Sequence, residues 1–220
     1  FKNYSDCDAA DLADDIRTSR PFTATATDPS RNLTQGTLDW FAERARCDVT
    51  ASEFSAAAGR NYFKSRCELT QEKVGGRAAF AGNEATRWGQ ENEVNAIKWF
   101  EADTGQKVSK TGLWHHPLYR NIGGSPDGLI YGPDGGLDYV VEVKCPYSKR
   151  DFERLPNYRK IPAQYRDQVQ GLCEICCPRL GAILIVWTPK SQRVLEVPRD
   201  EVYWKTELLP HLLLFIADLE

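Results

Sequence analysis

Residues 123–146 constrain the fold of this 220-residue chain more than any other stretch. They contain the letters SPDG, a Gly-rich turn and the run DYVVEVK, which predicts a β-strand over residues 138–144. Because side chains alternate along a strand, Glu142 and Lys144 share one face of it. A tight turn can fold Asp127, on the preceding strand, back beside Glu142. The pattern therefore predicts two carboxylates and a lysine that converge at the edge of a sheet.

Such a set of groups suits metal-dependent cleavage of phosphodiesters. Carboxylate oxygens are hard ligands for Mg²⁺, and an ammonium group orients or polarises the attacking water. Each short motif alone is also typical of an exposed ion pair or a common turn, so the order of the motifs carries the hypothesis. We expect Mg²⁺ as the cofactor, with Mn²⁺ as a substitute.

Three stretches carry a resemblance to a known family: GGSPDGLI, VVEVKCPYSKRDF and, further on, QYRDQVQG. The first two look like the PD-(D/E)XK nuclease signature. Together the three closely resemble the phage lambda exonuclease / YqaJ viral recombinase family, over most of the chain from Trp40 onwards. The resemblance implies an α/β fold, with a single nuclease domain over residues 37–220 and a central mixed β-sheet flanked by helices. It also implies a Mg²⁺-dependent 5′→3′ exonuclease of double-stranded DNA that serves recombination.

Residues 1–36 are predicted to be a weakly structured acidic segment, because Asp recurs early and Ser, Thr and Pro follow. The net charge of −3 does not by itself indicate a nucleic-acid-binding protein, but a DNA enzyme needs only a local basic patch. The seven cysteines, an odd number, agree with reduced thiols. Without a secretory signal or an apolar run of about 20 residues, we expect an intracellular protein that does not span a membrane.

Two other groups of residues are candidate metal ligands. Cys173, Cys176 and Cys177 form a cluster, and some nucleases of this superfamily carry an iron–sulfur cluster. We favour the alternative that Cys173 and Cys176 pack as small apolar residues of a helix, because no fourth ligand stands at a recognisable spacing. His115 and His116 are adjacent on a predicted strand and therefore point to opposite faces, so we interpret them as structural.

A helix is predicted over residues 86–103, ending before Gly105. At about 100° per residue, Glu93 falls inside the apolar arc, whereas Glu91 falls on the polar side. A carboxylate on a buried stripe needs a cation, which is either a metal or a salt-bridge partner. The resemblance selects the same residue through W-G-x-x-x-E, and implies that Glu93 lies near a second metal ion or acts through water.

A second helix is predicted over residues 163–177. Its apolar arc includes Gln168, whereas Gln170 falls on the opposite side. A buried glutamine needs partners for its amide donors and its carbonyl. The family motif Q-x-Q-G implies that Gln168 is an active-site residue. The later predicted elements are strands over 182–188 and 193–197 and an amphipathic helix over 201–220.

A third helix is predicted over residues 37–46. Thr50 or Ser52 can cap the helix that follows, whose N-terminus favours a phosphate. The letters W-x-x-x-R and TAS resemble a family motif in which an arginine and a serine hold the 5′-phosphate of the DNA end. One extra residue leaves Arg44 and Arg46 as alternatives, and a solvated helix face is the other interpretation of both. Together with the residues that the resemblance adds, the candidates for binding phosphate and DNA are Arg44, Arg46, Ser52, Ser125 and Arg150.

The resemblance also implies roles and partners. Asp127, Glu142 and the Val143 carbonyl would hold the metal, while Lys144 and Gln168 would position the attacking water. Double-stranded DNA ends would be the substrate, a single-strand annealing protein a partner, and a ring-shaped trimer the assembly. Two alternatives remain: a structure-specific or restriction-type endonuclease, and a DNA-end-binding module without catalysis. The intact carboxylates and lysine argue against the latter.

Overall fold

The computed structural model describes residues 28–75, 83–158 and 160–219. In these residues, the strands are β1 (Val49–Thr50), β2 (Trp114–His115), β3 (Ile122–Gly124), β4 (Gly128–Tyr131), β5 (Leu137–Lys144), β6 (Gly181–Trp187) and β7 (Gln192–Val197). They form a mixed four-stranded sheet in the order β4-β5-β6-β7 and a smaller sheet in the order β1-β3-β2. The helices are α1 (Leu38–Arg44), α2 (Phe54–Ala57), α3 (Arg66–Val74), α4 (Glu84–Thr104), α5 (Ala163–Cys176), α6 (Glu201–Tyr203) and α7 (Leu209–Ala217).

The larger sheet is built around β6, all of whose residues are buried. It pairs in parallel with β5 and antiparallel with β7, and β4 pairs antiparallel with β5. A strand buried on both faces reads as a continuous apolar run, here GAILIVW, and each such Val, Leu or Ile contributes about 1.5–3 kcal/mol. The predicted α/β class with a mixed sheet flanked by helices is therefore confirmed.

The alternation along β5 separates two hydrophobic cores. Val140 packs with Leu184 and the apolar side chains of α5. Val141 and Val143, on the opposite face, pack with Phe100 and other residues of α4. Thus α4 and α5 lie on opposite faces of the sheet, and both pass the end of β5 where Glu142 and Lys144 stand.

Helix α5 is packed on more sides than its periodicity predicts. Gln170, expected on the polar side, is only 4% exposed, so that prediction was wrong. Its side chain donates to the Pro198 carbonyl at 3.0 Å and accepts from the Asp200 amide at 2.9 Å. On the same helix, a Cβ at Gly171 would lie 2.1 Å from the ring of Phe54. The sheet covers one side of α5, and chain segments distant in sequence cover the others.

The terminal helix predicted over residues 201–220 is confirmed over residues 201–217, but it is not α-helical throughout. A π-helical segment, Trp204–Leu208, separates α6 from α7. Pro210 follows this segment, and a proline cannot donate the main-chain hydrogen bond of a regular α-helix. Trp204 and Leu208 nevertheless stay buried in the core. The helices predicted over 86–103 and 163–177 and the strands predicted over 138–144, 182–188 and 193–197 are confirmed to within a few residues.

Part of the segment predicted to be weakly structured, residues 28–36, is described. Pro29–Asn32 form one 3-10 turn, and the buried Ser30 hydroxyl donates to the Leu113 carbonyl at 2.8 Å. Residues 1–27 lie outside the described residues. Among the helices described, none is long and apolar enough to cross a membrane.

Candidate active site

Asp127 is held against β5 by main-chain contacts. The β4–β5 hairpin pairs Gly128 with Val141, so Asp127 stands just before the strand. The Asp127 amide donates to the Val141 carbonyl at 3.0 Å, and its carboxylate accepts from the Val143 amide at 2.6 Å. The turn between the strands therefore places Asp127 next to Glu142 in the neighbouring strand.

Glu142 is the centre of a hydrogen-bonded cluster. The Lys144 ammonium donates to Glu142 Oε1 at 2.7 Å and to Gln168 Oε1 at 2.9 Å. The Gln168 amide nitrogen donates to the same Glu142 oxygen at 2.6 Å. Glu142 is 2% exposed, and its second oxygen, Oε2, is buried without a hydrogen-bond partner in the part of the chain described. An unpaired carboxylate oxygen is costly to bury, so this one is available to a cation.

Glu93 lies on the wall of the same site. It lines a cavity of about 310 Å³ together with Asp127, Glu142 and Lys144. Burial and then the Glu142 carboxylate raise the pKa of Glu93. The other residues that line the cavity are Thr86, Gly89, Gln90, Val143, Cys145, Pro146 and Tyr165.

The electrostatics of the cavity are those of crowded carboxylates. Burial, followed by Glu142 and Glu93, raises the pKa of Asp127 well above its ordinary value. Burial alone would lower the pKa of Lys144, but Glu142 and Asp127 outweigh burial and raise it. The fold therefore favours the charged form of the lysine, and its single charge faces three carboxyl groups. A further cation in the cavity would relieve this repulsion.

The oxygen donors of the cavity suit a hard divalent ion. Within residues 28–75, 83–158 and 160–219, no group of three or more His, Cys, Asp or Glu side chains is placed to hold a metal. An ion here would therefore draw on the carboxylates of Asp127 and Glu142, a main-chain oxygen and water. Mg²⁺ keeps several waters and takes one or two carboxylates, so these residues fit it.

A second cluster contains Arg44. Its guanidinium donates to the Thr50 hydroxyl at 2.6 Å and to the Ser52 hydroxyl at 2.8 Å. The Trp40 indole lies 5.3 Å from the guanidinium carbon and donates to the Ser125 hydroxyl at 3.0 Å. Two residues of chain span at most about 7 Å, so Ser125 ties this cluster closely to Asp127.

Arg46 lies outside the Arg44 cluster, and the helix predicted to begin at Thr50 or Ser52 is short. The Arg46 side chain is 76% exposed and pairs with Glu43 at 3.1 Å, so the structure does not bring it into the Arg44 cluster. Ala51–Glu53 form a 3-10 turn, and α2 after it spans only Phe54–Ala57. A helix this short has little dipole, so any phosphate pocket here depends on side chains rather than on a helix N-terminus.

Arg150 lies near the rim of the cavity. Its guanidinium carbon stacks 3.9 Å from the Tyr147 ring centre, and one nitrogen donates to the Tyr147 carbonyl at 3.0 Å. Tyr147 packs edge-on against Trp88, and the adjacent Pro146 lines the cavity.

Sequence reasoning gave no role to Tyr165. Its ring lines the cavity, 5.5 Å from the Lys144 ammonium nitrogen. Tyr165 precedes Gln168 by three residues on α5, and residues three apart share a helix face. That spacing could have identified it once Gln168 was selected.

Cys173, Cys176, His115 and His116 occupy structural positions. Cys173 and Cys176 are buried in the core, and burial raises the pKa of Cys173 to about 12. His115 Nε2 lies 3.1 Å from a Glu43 oxygen. Burial lowers the pKa of His116 to about 4, and its Nδ1 accepts hydrogen bonds from main-chain amides.

The family model of the YqaJ-like viral recombinase domain matches residues 39–175, which contain both clusters. The chain belongs to this YqaJ-like family. Among solved structures, the family member resembles LHK-Exo in complex with dAMP, with a TM-score of 0.68 and 24% identity over 83% of this chain and 92% of that one. It also resembles a phage related exonuclease from Haemophilus somnus 129PT, with a TM-score of 0.56 and 18% identity over 78% and 94%. A second structure of LHK-Exo, an alkaline exonuclease from Laribacter hongkongensis, has a TM-score of 0.66 at 24% identity over 83% and 92%. These likenesses show that the chain has the same fold as those exonucleases; the search of curated proteins found no match.

Proposed function

We propose that this YqaJ-like protein is a Mg²⁺-dependent 5′→3′ exonuclease of double-stranded DNA that acts in recombination. The observation that carries the proposal is the link between the two clusters. Ser125, which contacts the Arg44 cluster through Trp40, stands two residues before Asp127. The tripeptide from Ser125 to Asp127 thus joins the proposed site for the DNA end to the proposed site of phosphodiester cleavage. The proposal agrees with the fact that LHK-Exo and the Haemophilus somnus protein, which have the same fold, are exonucleases.

Each residue of the cavity has a role in this proposal. Asp127, Glu142 and the Val143 carbonyl would hold Mg²⁺ or Mn²⁺, with Glu93 near a second ion or acting through water. A bound ion would stabilise the charge that develops on the phosphate and lower the pKa of the attacking water. The Lys144 ammonium would donate to the water, and the Gln168 amide, which can donate and accept, would orient it.

The direction of digestion needs a second contact, because a carboxylate site alone would cleave any phosphodiester that reaches it. Arg44, Ser52 and Ser125 supply hydroxyls and a planar guanidinium, which binds phosphate oxygens in pairs. A terminal 5′-phosphate carries more charge than an internal one, so this pocket prefers it. Arg150 at the rim would contact the DNA backbone.

The decisive experiment compares linear duplexes that carry a 5′-phosphate or a 5′-hydroxyl, at fixed salt. We expect faster digestion of the phosphorylated form, no attack on circular duplex, and no activity in EDTA. Arg44→Ala should remove most of the preference but retain residual cleavage. The exposed Arg46→Ala is the matched control and should behave as wild type. Equal rates on both ends, or attack from 3′ ends, would contradict the assignment of the pocket.

The same substrates separate the alternatives. Cleavage of circular duplex would favour the endonuclease. DNA-end binding that is identical with and without EDTA, with no cleavage, would favour the inactive binding module. The ring-shaped trimer and the annealing partner are further proposals that rest on the family resemblance. Light scattering at assay concentration tests the trimer, and a strictly monomeric mass would exclude it.

A further inference from the structure

Gln35 lies just before α1 and has no role in the chemistry above. Its side-chain nitrogen donates to the Thr111 carbonyl at 3.1 Å and to the Pro126 carbonyl at 2.9 Å. Carbonyl oxygens only accept, so the amide must turn its NH₂ group towards them, and both N–H donors are used. One side chain thus joins three segments: the start of α1, the stretch before β2 and the loop before β4.

The loop that Gln35 holds is the one that carries both clusters. Pro126 stands between Ser125 of the Arg44 cluster and Asp127 of the cavity. Proline has no N–H, so its carbonyl is the one main-chain polar group through which it can be held. On its far side Asp127 is bonded to β5 twice, through the Val141 carbonyl and the Val143 amide. Gln35 therefore anchors the near side of a loop whose far side is already fixed.

Helix α1 needs such an anchor. It carries Trp40 and Arg44, yet it buries none of its residues, so packing does little to set its position. Near its end, Glu43 lies 3.1 Å from His115. Two side chains form hydrogen bonds from this region to the Ser125–Asp127 loop: the Gln35 amide and the Trp40 indole.

We infer that Gln35 is a positioning residue that couples the terminal-phosphate pocket to the carboxylate site. This inference rests on the proposed function. A phosphate bound by Arg44 fixes α1, and Gln35 transmits that position to Pro126 and the adjacent Asp127. A DNA end with a 5′-phosphate is then placed at a metal site that is held at the right distance from the pocket. An end with a 5′-hydroxyl does not fix α1, so the coupling does not act on it.

Gln35→Leu tests the coupling, because leucine has a similar size and no donors. The full chain is assayed with Mg²⁺ on linear duplexes with 5′-phosphate or 5′-hydroxyl ends, and kcat and KM are measured for each. We expect the ratio of kcat/KM between the two ends to fall about three- to tenfold, mainly in kcat, as expected for one or two hydrogen bonds. Gln106→Leu, an exposed glutamine after α4, is the matched control and should keep the wild-type ratio.

The outcomes separate positioning from support of the fold. An unchanged ratio in Gln35→Leu, or equal losses on both ends, would overturn the coupling. Gln35→Glu is the second variant: it replaces the donors with acceptors that face two carbonyls, so its ratio should fall at least as far. A wild type with no preference for phosphorylated ends would remove the pocket, and the coupling with it. A wild type with the preference but a Gln35→Leu variant that keeps it would remove only the coupling.

Discussion

Lys144→Ala tests whether the Lys144 ammonium group, besides orienting water, compensates the buried charge of Glu142. In the wild type it donates to Glu142, which is 2% exposed. Removing one partner of a buried ion pair costs about 3–5 kcal/mol. Because the Lys144 side chain is 23% exposed and a cavity adjoins it, we expect the lower end of that range. At about 2–4 °C per kcal/mol for a domain of this size, the melting temperature in EDTA should fall by about 6–12 °C.

The double variant identifies the cause of that loss. In Lys144→Ala/Glu142→Gln the buried Glu142 charge is no longer left without its partner, so the melting temperature should recover much of what the single variant loses. Lys190→Ala is the matched control. It breaks an ion pair with Glu153 whose two side chains are 45% and 82% exposed, and such pairs are worth about 0–1 kcal/mol.

Mg²⁺ separates stability from catalysis in this variant. A divalent ion at Glu142 replaces the missing positive charge, and at about 100 times its Kd a ligand stabilises the folded state by about 2.7 kcal/mol. The melting temperature of Lys144→Ala should therefore rise in Mg²⁺, while its cleavage rate stays far below wild type. A variant that melts within about 1 °C of wild type in EDTA, or a double variant that recovers nothing, would refute the reasoning.

Two further substitutions, which give three predictions, test the site and its packing. Asp127→Asn should abolish cleavage and retain DNA binding in a mobility-shift assay, and near-normal turnover at saturating Mg²⁺ would contradict its role as a ligand. Because the pKa of Asp127 is raised above its ordinary 3.8 in the fold, its carboxyl favours folding at low pH. In EDTA, the free energy of unfolding should fall as pH rises through that raised pKa, and Asp127→Asn should flatten the fall in urea titrations at several pH values. Gly171→Ala places a Cβ against Phe54 and should cost about 1–3 kcal/mol in thermal unfolding; an unchanged melting temperature would show that α5 can move away.

The cavity could be predicted largely from local patterns. Asp127, Glu142 and Lys144 belong to one hairpin, and in a hairpin the alternation of side chains and the turn decide which groups meet. The periodicity of single helices placed Glu93 and Gln168 on the faces that turn towards the sheet. The structure brings all five residues to one site. Their faces could be predicted because each of these patterns spans only a few residues of the chain.

Contacts between distant segments could not be predicted in this way. Periodicity placed Gln170 on the polar side of its helix, but the segment around Pro198 and Asp200 covers that side and buries it. Arg44 and Arg46 are the same type of residue and lie two positions apart in the chain. Only the position of α1 in the folded chain turns Arg44 towards Ser52 and leaves Arg46 in solvent. Likewise, the two acceptors of Gln35 lie 76 and 91 residues away, and no local pattern relates groups that meet only when the chain has folded.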